Sequence, residues 1–291
     1  MRHCALALAL SVTACGRPPP ASRFPSAEAA IARMRATYEC SRGIKGEAKL
    51  TYFGDGGRVR GSVLYLGELP ERVRFDVISP FGATISTLTA DGENFALYDL
   101  REKQFLHGPA NTCNLSRFTR VPIPPHALVQ LLRGEAPVLV HTPASATIDW
   151  ESGRYVVRIP SKHQAREEIH LEPVGEDFGL DWTKQRVRVL RVLIEQADVV
   201  LYRADLADHR ARRTSRALVD PDGIDPPILP SGPECRAEVP SRIRLEVPGS
   251  GQELILANVE VVHNPPLAPG VFEQRPPGGV VVRYSPCHRE R

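Results

Sequence analysis

The chain is expected to be mainly β, an antiparallel sheet with one apolar and one polar face. Three observations carry that expectation. Short runs alternating apolar and polar side chains fill most of the 291 residues. Turn sequences rich in glycine and proline punctuate the runs, among them GDGG at Gly54, SPFG at Ser79 and DGEN at Asp91. Helical spacing is confined to two stretches, near Pro25–Glu39 and after Pro124.

The first element is a helix, PSAEAAIARMRATYE, in which Ser26 can cap and Glu28 sits in the first turn. Ala30, Ile31, Met34 and Tyr38 give it one apolar face. The period then changes to two. GIKGEAKLTYF alternates through Ile44, Ala48, Leu50 and Tyr52, and RVRGSVLYL places Val59, Val63 and Tyr65 opposite Arg58, Arg60 and Ser62. ERVRFDVI sets Val73, Phe75 and Val77 against Arg72, Arg74 and Asp76, and ATISTLTA, NFALYDL and KQFLHG continue the series. These six strands read as a one-sided meander. RFTRVPIPPHALVQLLRGEAP breaks the pattern. Pro124-Pro125 opens a short helix, Leu128, Leu131 and Leu132 share a face, and Gly134 with Pro137 ends it. Strands resume with ATIDW, RYVVRIP and EEIHLEPV, then the more apolar pair QRVRVLRVLI and DVVLYRADL. Residues 208–238 read as an irregular insertion, rich in arginine and then proline, before the hairpin SRIRLEVPGSGQELILANVEVV and one tail strand in PPGGVVVRYSPC.

The N-terminus carries a processing signal. Arg2 and His3 precede a short apolar run, and small residues stand directly before Cys15. That pattern resembles the lipobox of bacterial lipoproteins, in which the cysteine is acylated after removal of residues 1–14; plain secretory cleavage at Ala14 is the alternative. Residues 15–25 then read as a stiff lipidated tether and 26–291 as a single folded domain. Without Arg2 the balance is 36 basic against 34 acidic side chains, so bulk charge gives no argument for a nucleic-acid partner. Cys40, Cys113, Cys235 and Cys287 are disulfide candidates in an oxidising compartment, with three possible pairings. Proximity along the chain favours Cys40–Cys113 and Cys235–Cys287. Free buried thiols are the alternative.

RFDVISPFGATISTLTADGENFALYD, followed by RVPIPPHALVQLLRG, resembles the LolA/LolB superfamily, its LolB-like outer-membrane lipoproteins most of all. Residues 239–262 add to the likeness. The resemblance implies an incomplete antiparallel β-barrel of about eleven strands, with an N-terminal helix and a helical lid, whose lumen holds lipid acyl chains. It implies a lipoprotein receptor anchored through Cys15 in the inner leaflet of the outer membrane and facing the periplasm. Its partners would be lipoprotein acyl chains and a LolA-like periplasmic carrier, and it would need no cofactor.

Under that reading the cavity is lined by Leu50, Tyr52, Val63, Tyr65, Val73, Phe75, Val77, Ile85, Phe95 and Leu97, with Leu128, Leu131 and Leu132 from the lid. The same residues read equally as the core of a sealed barrel. Phe81, at the tip of SPFG, stands where LolB-like members carry a protruding leucine, which implies a membrane-insertion tip; a ring folded back onto the barrel end is the alternative. Arg210, Arg212, Arg213 and Arg216 read as a solvated loop. No GxSxG, P-loop or HExxH occurs, and no metal site or catalytic residue is expected. DPDGID at Asp220 has its glycine misplaced for a calcium loop. A lipid- or glycolipid-binding envelope lipoprotein of the same fold, or an inert envelope scaffold, are the other readings.

Overall fold

The computed structural model describes residues 17–54 and 56–287. The expected signal peptide, residues 1–14, and the expected lipidation residue Cys15 lie outside the described residues. One sheet organises the molecule, in the order β14-β6-β5-β4-β3-β2-β1-β13-β12-β11-β10-β9-β8-β7. Its strands are β1 (Gly43–Gly54), β2 (Gly57–Glu68), β3 (Arg72–Ile78), β4 (Thr84–Ala90), β5 (Asn94–Asp99), β6 (Gln104–Pro109), β7 (Thr147–Glu151), β8 (Arg154–Pro160), β9 (Ala165–Pro173), β10 (Val187–Gln196), β11 (Val199–Ala211), β12 (Glu238–Val247), β13 (Gln252–His263) and β14 (Val281–Tyr284). Neighbours are antiparallel throughout except for β14, which runs parallel to β6. The sheet does not close on itself, so the architecture is a mainly β, incomplete barrel. Reading the runs one by one gives these fourteen strands, where the resemblance implied about eleven.

β1 pairs with β13 along nearly its whole length, Ile44 opposite His263 and Phe53 opposite Glu253. This pairing joins the two halves of the chain. One face of the sheet carries the core: Val63, Tyr65, Val73, Phe75 and Leu88 from the meander, and Val157, Ile169, Val192, Ile243 and Leu256 from the second half are almost wholly buried. Gly46 is required there, because a Cβ would lie 2.3 Å from the Tyr65 ring.

Three helices fill the concave face. α1 (Ala27–Tyr38) starts where the Ser26 side chain accepts a hydrogen bond from Ala29 N, and it buries Ala30, Ile31, Met34 and Tyr38. α2 (Thr112–Thr119) is absent from the sequence reading; Asn111 caps it by accepting from Asn114 N. α3 (Pro125–Arg133) has Pro125 in its first turn and ends at Gly134, whose φ of 92° is left-handed. Arg133, which is buried, donates to Tyr38 O and pairs with Glu135 at 2.8 Å, tying the end of α3 to the end of α1.

The outer face of the second half is charged and paired. Arg158 bridges Asp149, Glu151 and Glu168; Arg188 bridges Glu172 and Glu238; Arg244 bridges Glu246 and Glu253. A membrane-spanning barrel needs an apolar outward band, and this face opposes one. On the first half, residues 264–280 cross the outer face instead. Arg74 donates to Val271 O, and the Gln274 amide donates to Thr87 O and Ala96 O. β14 then covers the edge of β6, the kind of exposed edge that proteins protect.

Three sequence expectations are corrected. The disulfides pair Cys40 with Cys235 and Cys113 with Cys287, at Cα separations of 5.2 and 5.8 Å. Chain proximity misleads because the β1–β13 pairing brings the two ends of the fold together. The insertion is shorter than 208–238: β11 continues through Ala211, and the irregular part, 212–237, is held by Cys235, by Thr214 donating to Cys235 O, and by Asn264 donating to Pro233 O. The tether is not free in its described part. Phe24 is buried against Tyr155 with ring centroids 4.8 Å apart, Arg17 O accepts from Trp150 Nε1, and Ser22 bonds Asp181. Proline and arginine in that stretch satisfied a linker pattern, but Phe24 had a cleft to fill.

Candidate functional site

Strand direction sorts the connections into two rims. The β1–β2, β3–β4, β5–β6 and β12–β13 turns lie at one; α3, the 212–237 segment and the docked N-terminal segment belong to the other. SPFG is the β3–β4 turn at the first rim. Gly82 N donates to Ser79 O at 3.0 Å, and the Ser79 hydroxyl accepts from Ala83 N. Pro80 presets the φ of the second turn position, and Gly82 takes φ 84°. The turn is thus closed by its backbone and its small residues, which leaves Phe81 at the apex with 96% of its surface exposed. The ring protrudes and does not cap the barrel end.

Directly beside this turn the concave face is open. A cavity of about 770 Å³ is lined by Leu50, Tyr52, Val59, Val77, Ile78 and Ile85 from β1–β4, Leu254 from β13 and Phe118 from α2, together with Ser79 and Pro80 of the Phe81 turn. Arg101 and Arg120 also border it, whereas the Lys49 and Arg60 side chains project from the outer face of the sheet, beside Ser62 and Thr51. Its size falls in the usual range for ligand pockets, ~300–1,000 Å³. Phe118 reaches the site because α2 lies in the lumen, its ring centroid 5.3 Å from that of Phe75.

The structure divides the predicted lining residues by depth. Leu50, Tyr52, Val77 and Ile85 come together around the cavity. Val63, Tyr65, Val73, Phe75 and Phe95 are buried in the continuous core, and Leu97 packs partly buried against it. Leu128, Leu131 and Leu132 are likewise buried: α3 is seated deep, with Val129 and Leu132 near Gly67 at the far ends of β1 and β2. Residues that sequence reasoning missed are Phe118, Leu254, Arg101 and Arg120. The alternation of β2 and β3 did point to Val59 and Val77 on one face. Phe118 had no comparable signal, because α2 itself was not read.

A second cavity, about 780 Å³, lies under the crossing C-terminal segment and is lined by Asp91, Glu93, Phe105, Gln274, Arg275 and Tyr284 among others. It is the more polar of the two and lies between the sheet and that segment, so the apolar cavity at the Phe81 rim is the better candidate.

One buried acid marks the lumen. Glu167 of β9 accepts from Leu139 N at 2.7 Å, and burial pushes its carboxyl up to about 8. Its folded value lies above the unfolded one, so the folded state holds the proton more tightly. The associated stability is present below the unfolded value near 4.5 and is lost as pH rises through about 8. Glu167→Gln keeps an acceptor for Leu139 N and removes the titration. Thermal melts should show the variant gaining on the parent between pH 6 and pH 9, by approximate range, and a gap that does not change with pH would contradict this assignment.

No family model matches the chain, and no curated protein matches it. Solved structures do. A DUF1329 family protein from Desulfovibrio piger is 11% identical over 85% of this chain and 97% of its own, with a TM-score of 0.54. A putative outer membrane lipoprotein-sorting protein domain from Vibrio parahaemolyticus is 10% identical over 85% and 96%, with a TM-score of 0.52. At these identities the likeness is one of fold alone.

Proposed function

From a LolA/LolB-like fold that keeps an apolar cavity open at one rim, we propose an envelope lipid-binding protein that takes up acyl chains and passes lipoproteins to a membrane. The cavity beside Phe81 carries this reading. Each methylene moved from water into such a site contributes ~0.8 kcal/mol before ordering costs, and Phe81 offers an apolar step between the cavity and an acceptor surface. The name of the Vibrio parahaemolyticus structure supports the same class of cargo. An outer-membrane receptor anchored at Cys15, fed by a LolA-like carrier, is the specific form we favour, with binding rather than catalysis as its activity.

The docked N-terminal segment bears on how such a receptor would sit. Arg17 is held at the rim opposite Phe81, so a lipid on Cys15 would leave from that side. The cavity mouth then faces an incoming carrier. For Phe81 to touch the anchoring bilayer, Phe24 has to leave its cleft, after which the segment ending at Pro25 serves as the tether that its composition describes.

The test is uptake. Purified protein lacking residues 1–16 should accept a fluorescently acylated lipoprotein from a soluble periplasmic carrier, and Val77→Gln with Ile85→Gln should reduce uptake while leaving the far-UV circular dichroism unchanged. No uptake of any acylated species by the parent protein would remove the carrier reading.

A further inference from the structure

The rim opposite Phe81 carries an apex of its own. After β11 the chain runs on beside the end of β13: Thr214 bridges His263 in parallel, with Ser215 N donating to His263 O and His263 N donating to Arg213 O. The segment therefore leaves the sheet in the direction β13 was taking, outward past the rim. It then folds into a hairpin in which Leu218 and Ile228 exchange backbone hydrogen bonds at 2.9 Å. The Asp220 carboxylate closes the tip by accepting from the backbone N–H groups of Asp222, Ile224 and Asp225. Ile224 is left with 83% of its surface exposed, and Leu218, Val219 and Leu229 on the same hairpin are exposed as well. Single exposed apolar side chains are ordinary, but four on one hairpin form the kind of patch that marks an interaction surface. Its base is fixed, because Cys235 is bonded to Cys40.

Residue 17, the first described, lies at the same rim. Arg17 packs against Gly153 in the β7–β8 turn, and its carbonyl accepts from Trp150 Nε1. Cys15 is two residues away, at most about 7 Å along the chain, so a lipid on Cys15 brings the bilayer to this rim. The β7–β8 turn and β13 are five strand positions apart in the sheet, about 24 Å at the usual spacing. The anchor is one point of attachment, about which the domain pivots, and the hairpin supplies a second. Residues 212–237 contain four arginines and four acids, so apolar side chains, not net charge, lead the contact.

Resting on the Cys15 anchor proposed above, we propose that the 218–229 hairpin is a membrane-contact element. Leu218, Val219, Ile224 and Leu229 sit in the interface of the bilayer that holds the anchor, while Phe81 and the cavity mouth point away from it.

Full-length lipidated protein, reconstituted in phosphatidylethanolamine–phosphatidylglycerol liposomes, tests this. An environment-sensitive fluorophore on Ile224→Cys should shift to the blue on reconstitution and lose emission when the liposomes carry a spin-labelled phospholipid. The same fluorophore on Phe81→Cys, in protein without cargo, should do neither. Val219→Asp/Leu229→Asp should abolish both responses at residue 224, and its thermal melt should match that of the parent because both side chains are exposed. Emission at residue 224 that stays aqueous while the protein floats with the liposomes overturns the hairpin contact and leaves the anchor reading standing. A blue shift that the spin label does not quench shows the hairpin covered by protein, a second copy included, and also overturns the contact. Protein that fails to float with the liposomes removes the anchor reading and the hairpin contact with it.

Discussion

Cys40→Ser/Cys235→Ser is expected to lower stability by about 2–5 kcal/mol. The bond spans a sequence separation of 195 residues, so its removal releases a very long loop in the unfolded chain and enlarges what folding has to restrict. It also frees the segment 212–237 from the end of α1. That segment carries exposed Leu218, Val219, Ile224 and Leu229, and its remaining ties to the sheet are hydrogen bonds shared with His263, Asn264 and Pro265. Denaturant titration under non-reducing conditions reads the loss as a lower midpoint. Cys113–Cys287 spans 174 residues, so its removal should cost a similar amount through the unfolded chain, and in the folded state it should loosen β14 from β6, where Ser285 and Asn114 still hydrogen-bond. A midpoint unchanged by the first pair would show that the β1–β13 pairing alone holds this corner.

The second large effect is functional. Phe81→Glu should slow delivery of a bound lipoprotein to liposomes about tenfold or more, because burying a phenyl ring is favourable by ~1.5–3 kcal/mol and a carboxylate forfeits that. Folding should not change. Phe81 is almost entirely exposed, and the turn is closed by Ser79, Pro80 and Gly82. Cargo uptake, which uses the cavity walls, should also persist, and Phe81→Leu should restore delivery. Loss of thermal stability in Phe81→Glu would contradict the protruding geometry. Unaltered delivery would remove Phe81 from the transfer step.

Much of the fold is readable from local pattern. The strand positions follow from two-residue alternation, and the ends of α1 and α3 follow from Ser26, Pro125 and Gly134. α2 escapes because it has only eight residues, too few for a periodic signal, and its main cue is the single cap Asn111. The pairing of the cysteines escapes because it depends on which distant strands meet. The candidate cavity is half readable: alternation identifies Leu50, Tyr52, Val77 and Ile85 as inward, but it places Val63, Tyr65, Val73 and Phe75 there on equal terms.

The sequence by itself determined the strands, the inward face and the turn that carries Phe81, because pleat alternation and turn closure depend on residues a few positions apart; that the Phe81 ring protrudes was decided by the folded structure. Only the tertiary structure decided where that face stays open. α3 and α1 bury the deeper part of the lumen, while at the Phe81 rim the helical packing stops at Phe118 and Arg120. Whether an inward side chain becomes core or cavity wall is set by what packs over it, and for β1–β4 the nearest of those partners come from α2, α3 and β13.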